Sequence, residues 1–169
     1  MGALYVGFVA WSLYGAVVPI ETHLFRMIHL AFILALAFLA YPFSKTSGRW
    51  SFGIDLLLAL LGVACVVYAL TDLDQFIRRS TLPEPWDVFF GIAAILLLLE
   101  LSRRVVDNTF TLVVVGFLLY VYFGRSFPGV FSHRGYEIDR IIGHMTMTLE
   151  GIYGVPLSVS VSFVLLFVV

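Results

Sequence analysis

A glutamate and two arginines at the end of an apolar run are well placed to form a strong electrostatic contact. In LLLLELSRRVVDN, Glu100 precedes Arg103 and Arg104 by three and four residues, so all three side chains can meet on one side of a helix. An unpaired carboxylate in hydrocarbon is costly or becomes protonated, and pairing with guanidinium groups removes most of that cost. The pattern indicates either an anchored helix end at a membrane interface or an ion-pair node that docks this helix on a neighbour or partner domain.

A second charged stretch, RRSTLPEPWD, lies at the other end of the same apolar run. Arg78 or Arg79 can reach Asp87 across the bend, and Asp87 can cap a helix that starts at Val88. We expect either an ion pair there or, as the simpler interpretation, a capped helix with a solvated loop before it.

Histidine and serine side chains raise the question of a cofactor or a catalytic site. The histidines are His23, His29, His133 and His144. The first two are six residues apart, which does not place them on one helical face, and the other two fall in a polar connection. A haem or metal site is therefore the less favoured alternative. The serines of the last apolar run are Ser158, Ser160 and Ser162. No histidine base is close to them in sequence, so they predict helix–helix hydrogen bonds rather than catalysis.

The composition is typical of a membrane protein. Hydrophobic residues make up 61% of the 169 residues, charged residues 12%, and the mean hydropathy is +1.01, whereas soluble domains carry roughly 45–50% apolar and about 25% charged residues. The formal net charge of −1 provides no basic field for nucleic acid. The single cysteine, Cys65, cannot form an internal disulfide.

Six apolar runs alternate with polar breaks. They cover residues 4–20, 27–43, 52–70, 88–101, 110–123 and 152–169. The runs lack the two-residue alternation of a membrane barrel, and snorkelling arginines or local bilayer thinning can extend the shorter ones towards the length of about 20 residues that a span needs. We therefore predict an all-α fold, a polytopic membrane protein with about six transmembrane helices, although the fifth run is short for a full span.

The connection after the fifth run predicts an interfacial helix. In residues 133–149, apolar side chains recur near helical spacing while most charged ones fall elsewhere, which suits an amphipathic helix lying in the membrane plane. The apolar positions are Tyr136, Ile138, Ile141, Ile142, Met145 and Leu149.

The distribution of basic residues predicts the orientation. With six spans, the N-terminal side receives Lys45, Arg49, Arg103 and Arg104 in two short turns, whereas the other side receives six arginines spread over longer, acidic connections. The positive-inside rule gives most weight to short loops. We therefore predict that the N-terminus is cytoplasmic and that residues 133–149 face the periplasm.

The order of these features along the chain resembles that of the fused permeases of tripartite ATP-independent periplasmic (TRAP) transporters, in particular their TAXI type. The resemblance covers most of the chain. It is carried by HLAFILALAFLAYP at residues 29–42, FPG at 127–129, EGIYGVPLSVS at 150–160, and by Arg78, Pro83, Asp87, Glu100, Arg103 and Arg104.

This resemblance implies a scaffold role in transport. Residues 1–108 would form a four-helix domain similar to the small subunit, residues 109–150 a connecting helix and a periplasmic-side amphipathic arm, and residues 151–169 the first helix of a large transport domain. The chain would then be incomplete, with the substrate-binding residues expected beyond Val169. No catalytic residue, metal ligand or cofactor is expected in this segment.

The resemblance also implies partners and a location. The full transporter would import a small organic solute, such as an organic acid, across a bacterial or archaeal cytoplasmic (inner) membrane, with Na⁺ or H⁺ coupling. Its partners would be a periplasmic substrate-binding protein, the large transport domain and the lipid bilayer. The candidates for docking the binding protein are Asp72, Asp74 and Glu84. The alternative function is the membrane-anchor subunit of a haem or quinone redox complex.

Overall fold

The computed structural model describes residues 2–18, 21–43, 49–148 and 150–161, and their regular structure is helical. The helices are α1 (Gly2–Val17), α2 (Thr22–Ala40), α3 (Arg49–Thr71), α4 (Leu73–Arg78), α5 (Pro85–Val105), α6 (Asn108–Phe123), α7 (Ile138–Ile142) and α8 (Val155–Val159). Short 3₁₀ turns follow α4 and α6, and a π-helical turn, Gly143–Met147, continues α7. The prediction of an all-helical fold is confirmed over these residues.

Three helical segments are long and apolar enough to cross a membrane. They are Thr22–Ala40, Trp50–Thr71 and Asn108–Ser126. Among the described residues this is fewer than the six spans that the sequence predicts. The apolar part of α1, Leu4–Gly15, is shorter, α5 carries charged residues at both ends of its 21 residues, and residues 162–169 of the last apolar run lie outside the described part of the chain.

The core lies between α2, α3 and α5. Met27, Leu30, Leu34 and Phe38 recur at three- and four-residue spacing on α2 and are buried, because that spacing places them on one helical face. They pack against small and medium side chains of the other two helices, including Ala59, Cys65, Val66, Ala69, Ala94 and Leu97. Small residues on α3 and α5 let the three helix backbones approach closely.

Helix α1 packs on the outside of this core, against α2. The Phe25 ring lies where a Cβ at position 15 would be, so that only glycine fits there, and Trp11 packs on the same ring with 5.6 Å between centroids. One turn earlier on α1 and one turn later on α2, the Phe8 ring lies 5.0 Å from the ring of the buried His29. The α1–α2 contact is therefore largely aromatic.

Helix α5 begins earlier than the sequence predicts. Its first residue is Pro85 and its N-cap is Glu84, whereas we expected Asp87 to cap a helix starting at Val88. Proline suits the first helical position because its missing N–H would have no helical partner there. Asp87 is instead the third helical residue, and its carboxylate accepts a hydrogen bond from the Glu84 N–H at 3.0 Å.

The arm, residues 133–149, is helical over a shorter stretch than predicted. Helix α7 starts at Ile138, and the π turn carries the helical path on to Met147. Among the predicted apolar positions, Tyr136 and Ile138 are 47% and 48% exposed and Ile142 is buried, as is Met147 in the π turn. Leu149 lies outside the described residues.

The arm packs against the N-terminal half of α5. A Cβ at Gly91 would overlap the Ile142 side chain, and one at Gly143 would overlap the Ser80 carbonyl oxygen, so both close approaches need glycine. Met147, Tyr153 and Leu157 join the core made by α2, α3 and α5. The arm and the chain after it thus close one end of the bundle.

Large apolar side chains cover much of the outer surface. Examples on four helices, each 60% to 69% exposed, are Val6, Leu57, Leu60, Leu96 and Phe117. A continuous apolar exterior of this kind suits contact with lipid rather than water.

Candidate functional site

Two clusters of charged residues hold the ends of α5. We call Asp55, Glu100, Arg103 and Arg104 the arginine cluster, and Tyr68, Arg79, Glu84 and Asp87 the Asp87 cluster. Asp87 and Arg104 are 17 positions apart on one helix, which corresponds to about 26 Å along its axis. This is close to the thickness of about 30 Å of a bilayer's hydrocarbon core, so the two clusters have the spacing of two membrane interfaces.

Arg104 is the centre of the arginine cluster. Its Nη1 lies 2.7 Å from Asp55 Oδ1 on α3, and its Nε lies 2.8 Å from Glu100 Oε1 on the preceding turn. The side chains of Arg104 and Asp55 are only 5% and 4% exposed. Because a buried charge is tolerated only when paired, this contact fixes α5 on α3.

Glu100 also binds Arg103 through two hydrogen bonds. Arg103 Nε donates to Oε2 at 2.9 Å and Nη2 donates to Oε1 at 2.8 Å, the bidentate geometry that fixes a guanidinium direction. The Arg103 side chain is 42% exposed. Glu100 therefore joins an exposed arginine to a buried one.

The end of α2 completes the cluster. The Phe43 N–H donates to both Asp55 oxygens, at 3.1 and 3.3 Å, and the Tyr41 carbonyl accepts from Arg104 Nη1 at 3.0 Å. The Arg104 guanidinium carbon lies 5.2 Å and 5.4 Å from the ring centroids of Phe38 and Phe43, within cation–π range. The arginine cluster thus connects α2, α3 and α5.

Asp87 is fully buried at the other end of α5. Its Oδ1 accepts a 2.7 Å hydrogen bond from the Tyr68 hydroxyl on α3, and its Oδ2 accepts the Glu84 N–H. The Tyr68 ring stacks on Phe90 with 4.2 Å between centroids, which fixes the direction of its hydroxyl. Asp87 therefore connects α3 to the first turn of α5.

Arg79, and not Arg78, supplies the positive charge of this cluster. Arg79 Nη2 donates to Asp87 Oδ1 at 3.4 Å, and Nε lies 3.3 Å from Asp87 Oδ2 without hydrogen-bond geometry. Arg79 Nη1 donates to Glu84 Oε1 at 2.8 Å. Desolvation opposes the charge of Arg79, but the two carboxylates outweigh it and raise its pKa. Arg78 ends α4 and is exposed, and within the described part of the chain it has no ion pair. The 3₁₀ turn that starts at Arg79 accounts for the difference, because it brings the chain back towards α5.

The three candidate docking residues differ in whether they already have an ion-pair partner. Asp72 and Asp74 are exposed at the start of α4 and have no ion-pair partner among the residues described. Glu84 is exposed but already pairs with Arg79. Two free carboxylates therefore remain on this surface, at the same end of the bundle as Asp87.

The histidines are dispersed. His29 is buried on α2 with its Nδ1 unpaired within the described chain. His133 accepts the Gly135 N–H on Nδ1 and lies 3.1 Å from the Tyr120 carbonyl through Nε2, so it fixes the turn after α6. His144 is exposed and His23 is half-buried. No group of three His, Cys, Asp or Glu side chains with metal-binding spacing occurs among the described residues.

The predicted serine positions are only partly described. Ser158 lies in α8 and Ser160 directly follows it, while Ser162 lies outside the described residues. Residues 152–161 form a turn and one short helix, so the predicted helix over residues 152–169 is seen only at its beginning.

Two residues of the clusters, Asp55 and Tyr68, were not predicted from the sequence. Asp55 lies in the apolar run 52–70, where a carboxylate indicates a buried partner, and this signal could have identified it. Tyr68 carried no comparable signal, because a tyrosine in an apolar helix is ordinary near an interface. Both come from α3, which contributes one residue to each cluster.

No family model, curated protein or solved structure matches this chain.

Proposed function

We propose that this chain is the scaffold part of a secondary-active transporter permease of the TRAP type. In this proposal the complete transporter imports a small organic solute, such as an organic acid, that a periplasmic binding protein delivers, and an Na⁺ or H⁺ gradient drives the import. The proposal rests on the sequence resemblance and on one structural observation, the rigid attachment of α5 at both ends.

A transporter that moves its binding site across the bilayer needs one part that stays fixed while another moves. The acidic side chains of α5 lie near its two ends, and each is paired with an arginine: Asp87 with Arg79, and Glu100 with Arg104. The middle of the helix contributes only apolar side chains and Gly91 to the packing. This arrangement suits a fixed scaffold better than a coupling site, where interrupted helices and polar groups near the midplane are expected.

The scaffold proposal includes six membrane crossings. Helix α5 has 21 residues, a length of about 31 Å, and its charged ends match the two interfaces. We include α1 and the last apolar run as the two remaining crossings, which places the arm on the periplasmic side. The cytoplasmic (inner) membrane of a bacterium or archaeon is the proposed location.

The proposal is tested by neutralising a scaffold charge in the full-length permease. Glu100→Gln should reduce thermal stability but leave the affinity for the transported solute unchanged, because the site lies elsewhere. Solute binding is measured in detergent and transport in proteoliposomes with the binding protein present. A Glu100→Gln permease that folds normally but loses solute binding would overturn the scaffold assignment.

The free carboxylates on α4 are the proposed contact for the binding protein. Charge reversal by Asp72→Lys and Asp74→Lys should raise the binding-protein concentration needed for half-maximal transport, and neutralisation to asparagine should raise it less. The effect should shrink as salt is added, because exposed charges are screened over about 10 Å at 0.1 M ionic strength. An unchanged dependence on binding protein would remove this surface from the interface.

One observation supports the alternative, a membrane anchor of a redox complex. His29 is buried in a membrane-length helix with an unpaired Nδ1 within the described chain, and imidazole is a common axial ligand of haem. An absorption spectrum of the protein purified from its membrane distinguishes the two functions. A Soret band that disappears in His29→Ala favours the redox anchor. If the unmodified protein, expressed with haem supplied, shows no Soret band, the scaffold is favoured.

A further inference from the structure

A groove of about 690 Å³ separates α6 from the arm. Its volume is within the range of about 300–1,000 Å³ found for small-molecule sites. The α6 wall is apolar and consists of Val114, Phe117, Leu118 and Val121, which cover about 10 Å along the helix. No described side chain of α6 is fully buried, and Val114, Leu118 and Val121 are half-buried, so this wall is only partly covered within the described chain.

The opposite wall carries one arginine and one histidine side chain. Arg140 and His144 both line the groove and are four positions apart, about one turn, on the helical part of the arm. None of the described residues that line the groove is acidic, and within those residues Arg140 has no ion pair. The guanidinium is thus available to an anion that enters from the membrane surface.

We propose that this groove binds one anionic phospholipid, with the phosphate between Arg140 and His144 and an acyl chain along α6. The two walls match the two chemical parts of such a lipid, because the cationic wall complements the phosphate and the apolar wall complements the hydrocarbon. The proposal depends on the chain being embedded in a bilayer and does not depend on the transporter function.

Charge favours a lipid over a protein occupant. An apolar helix packed on α6 would cover this wall but would leave Arg140 without a counter-charge, which is costly in a low-dielectric environment. An anionic headgroup neutralises Arg140 and leaves it at the membrane surface, where arginine and lysine each favour anionic lipid by about 1 kcal/mol.

The test is a titration of the full chain, purified in detergent and stripped of lipid, with fluorescent phosphatidylglycerol and, separately, phosphatidylcholine. Phosphatidylglycerol should bind at one saturable site and more tightly than phosphatidylcholine. Arg140→Gln should weaken phosphatidylglycerol binding about fivefold with little effect on phosphatidylcholine, and Arg140→Lys should retain most of the affinity. Arg78→Gln is the matched control, since Arg78 is an exposed arginine outside the groove.

The apolar wall has its own pair of variants. Leu118→Trp should fill the groove and weaken both lipids, whereas Leu119→Trp should weaken neither, because Leu119 is 52% exposed and does not line the groove. Equal affinity for the two lipids, or equal losses in Arg140→Gln and Arg78→Gln, would overturn the proposal. The proposal would also be overturned if the lipid-free protein formed a dimer and Leu118→Trp dissociated it. The occupant of the groove would then be a second copy of the chain.

Discussion

The salt bridge between Arg104 and Asp55 stabilises the helix packing more than the Glu100–Arg103 pair does, although the second pair is easier to recognise in the sequence. Glu100 and Arg103 lie on adjacent turns of one helix, and their side chains are 26% and 42% exposed. Such pairs contribute about 0–1 kcal/mol. Asp55 and Arg104 come from two helices and are nearly buried, so removing one partner leaves a charge that water cannot reach.

The two acids of the arginine cluster should therefore differ in their effect on stability. We expect Asp55→Asn to lower the free energy of unfolding by about 2–3 kcal/mol, less than the roughly 3–5 kcal/mol of an isolated buried pair, because Glu100 still contacts Arg104. Glu100→Gln should cost less, about 1 kcal/mol, because Asp55 still pairs with the buried Arg104 and the exposed contact to Arg103 contributes little. Unfolding in detergent micelles measures both, with Asp74→Asn on the exposed surface as the control. A larger loss in Glu100→Gln than in Asp55→Asn would contradict this order.

The hydroxyl of Tyr68 should contribute to stability separately from its ring. Tyr68→Phe keeps the stacking on Phe90 but removes a 2.7 Å hydrogen bond to a buried carboxylate, which is worth about 1.5–3 kcal/mol. Tyr122→Phe is the matched control and should change stability by less than about 0.5 kcal/mol, since Tyr122 is 44% exposed. Equal stability of the Tyr68→Phe protein and the unmodified one would show that the hydrogen bond contributes nothing.

At the level of elements, local sequence patterns predicted helices better than their ends or contacts. The apolar run 88–101 lies inside α5, but Glu84 and Pro85 set its start, three residues before the predicted one. The partners of α5 could not be predicted from spacing, because Asp55 is 49 positions from Arg104 and Tyr68 is 19 positions from Asp87. Only tertiary packing brings such residues together.

Two glycines allow the attachment of the arm to be tested. Gly91→Ala places a Cβ against Ile142 and should destabilise the protein by about 1–3 kcal/mol through overpacking. Gly116→Ala on α6 meets nothing within 4 Å and should be neutral or stabilising by up to about 1 kcal/mol, since alanine is the better helix former.

Hydrogen exchange locates the effect of the Gly91 substitution. Amides of residues 138–147 should exchange faster in Gly91→Ala and at an unchanged rate in Gly116→Ala. Slower or unchanged exchange of the arm in Gly91→Ala would mean that the arm does not depend on this close contact.

At the scale of the whole molecule, the arginine cluster and the arm lie at opposite ends of α5 and α6. The arginine cluster lies at the end of α5 where α6 begins, and the arm packs near the start of α5 where α6 ends. The membrane-length segment Asn108–Ser126 spans about 28 Å. If this segment crosses the bilayer, the arginine cluster and the arm are separated by the membrane. From the positive-inside rule we predict that the arginine cluster faces the cytoplasm.

Cysteine labelling tests that separation directly. In a Cys65→Ala background, which removes the buried native thiol, Asn108→Cys and Ser132→Cys place single exposed thiols before and after the proposed crossing. In cells with a permeabilised outer membrane, an impermeant maleimide should label Ser132→Cys, and Asn108→Cys should react only after lysis. The opposite pattern would reverse the orientation while keeping the crossing. Labelling of both cysteines before lysis would show that residues 108–126 do not separate the two surfaces, and would contradict the membrane crossing by α6.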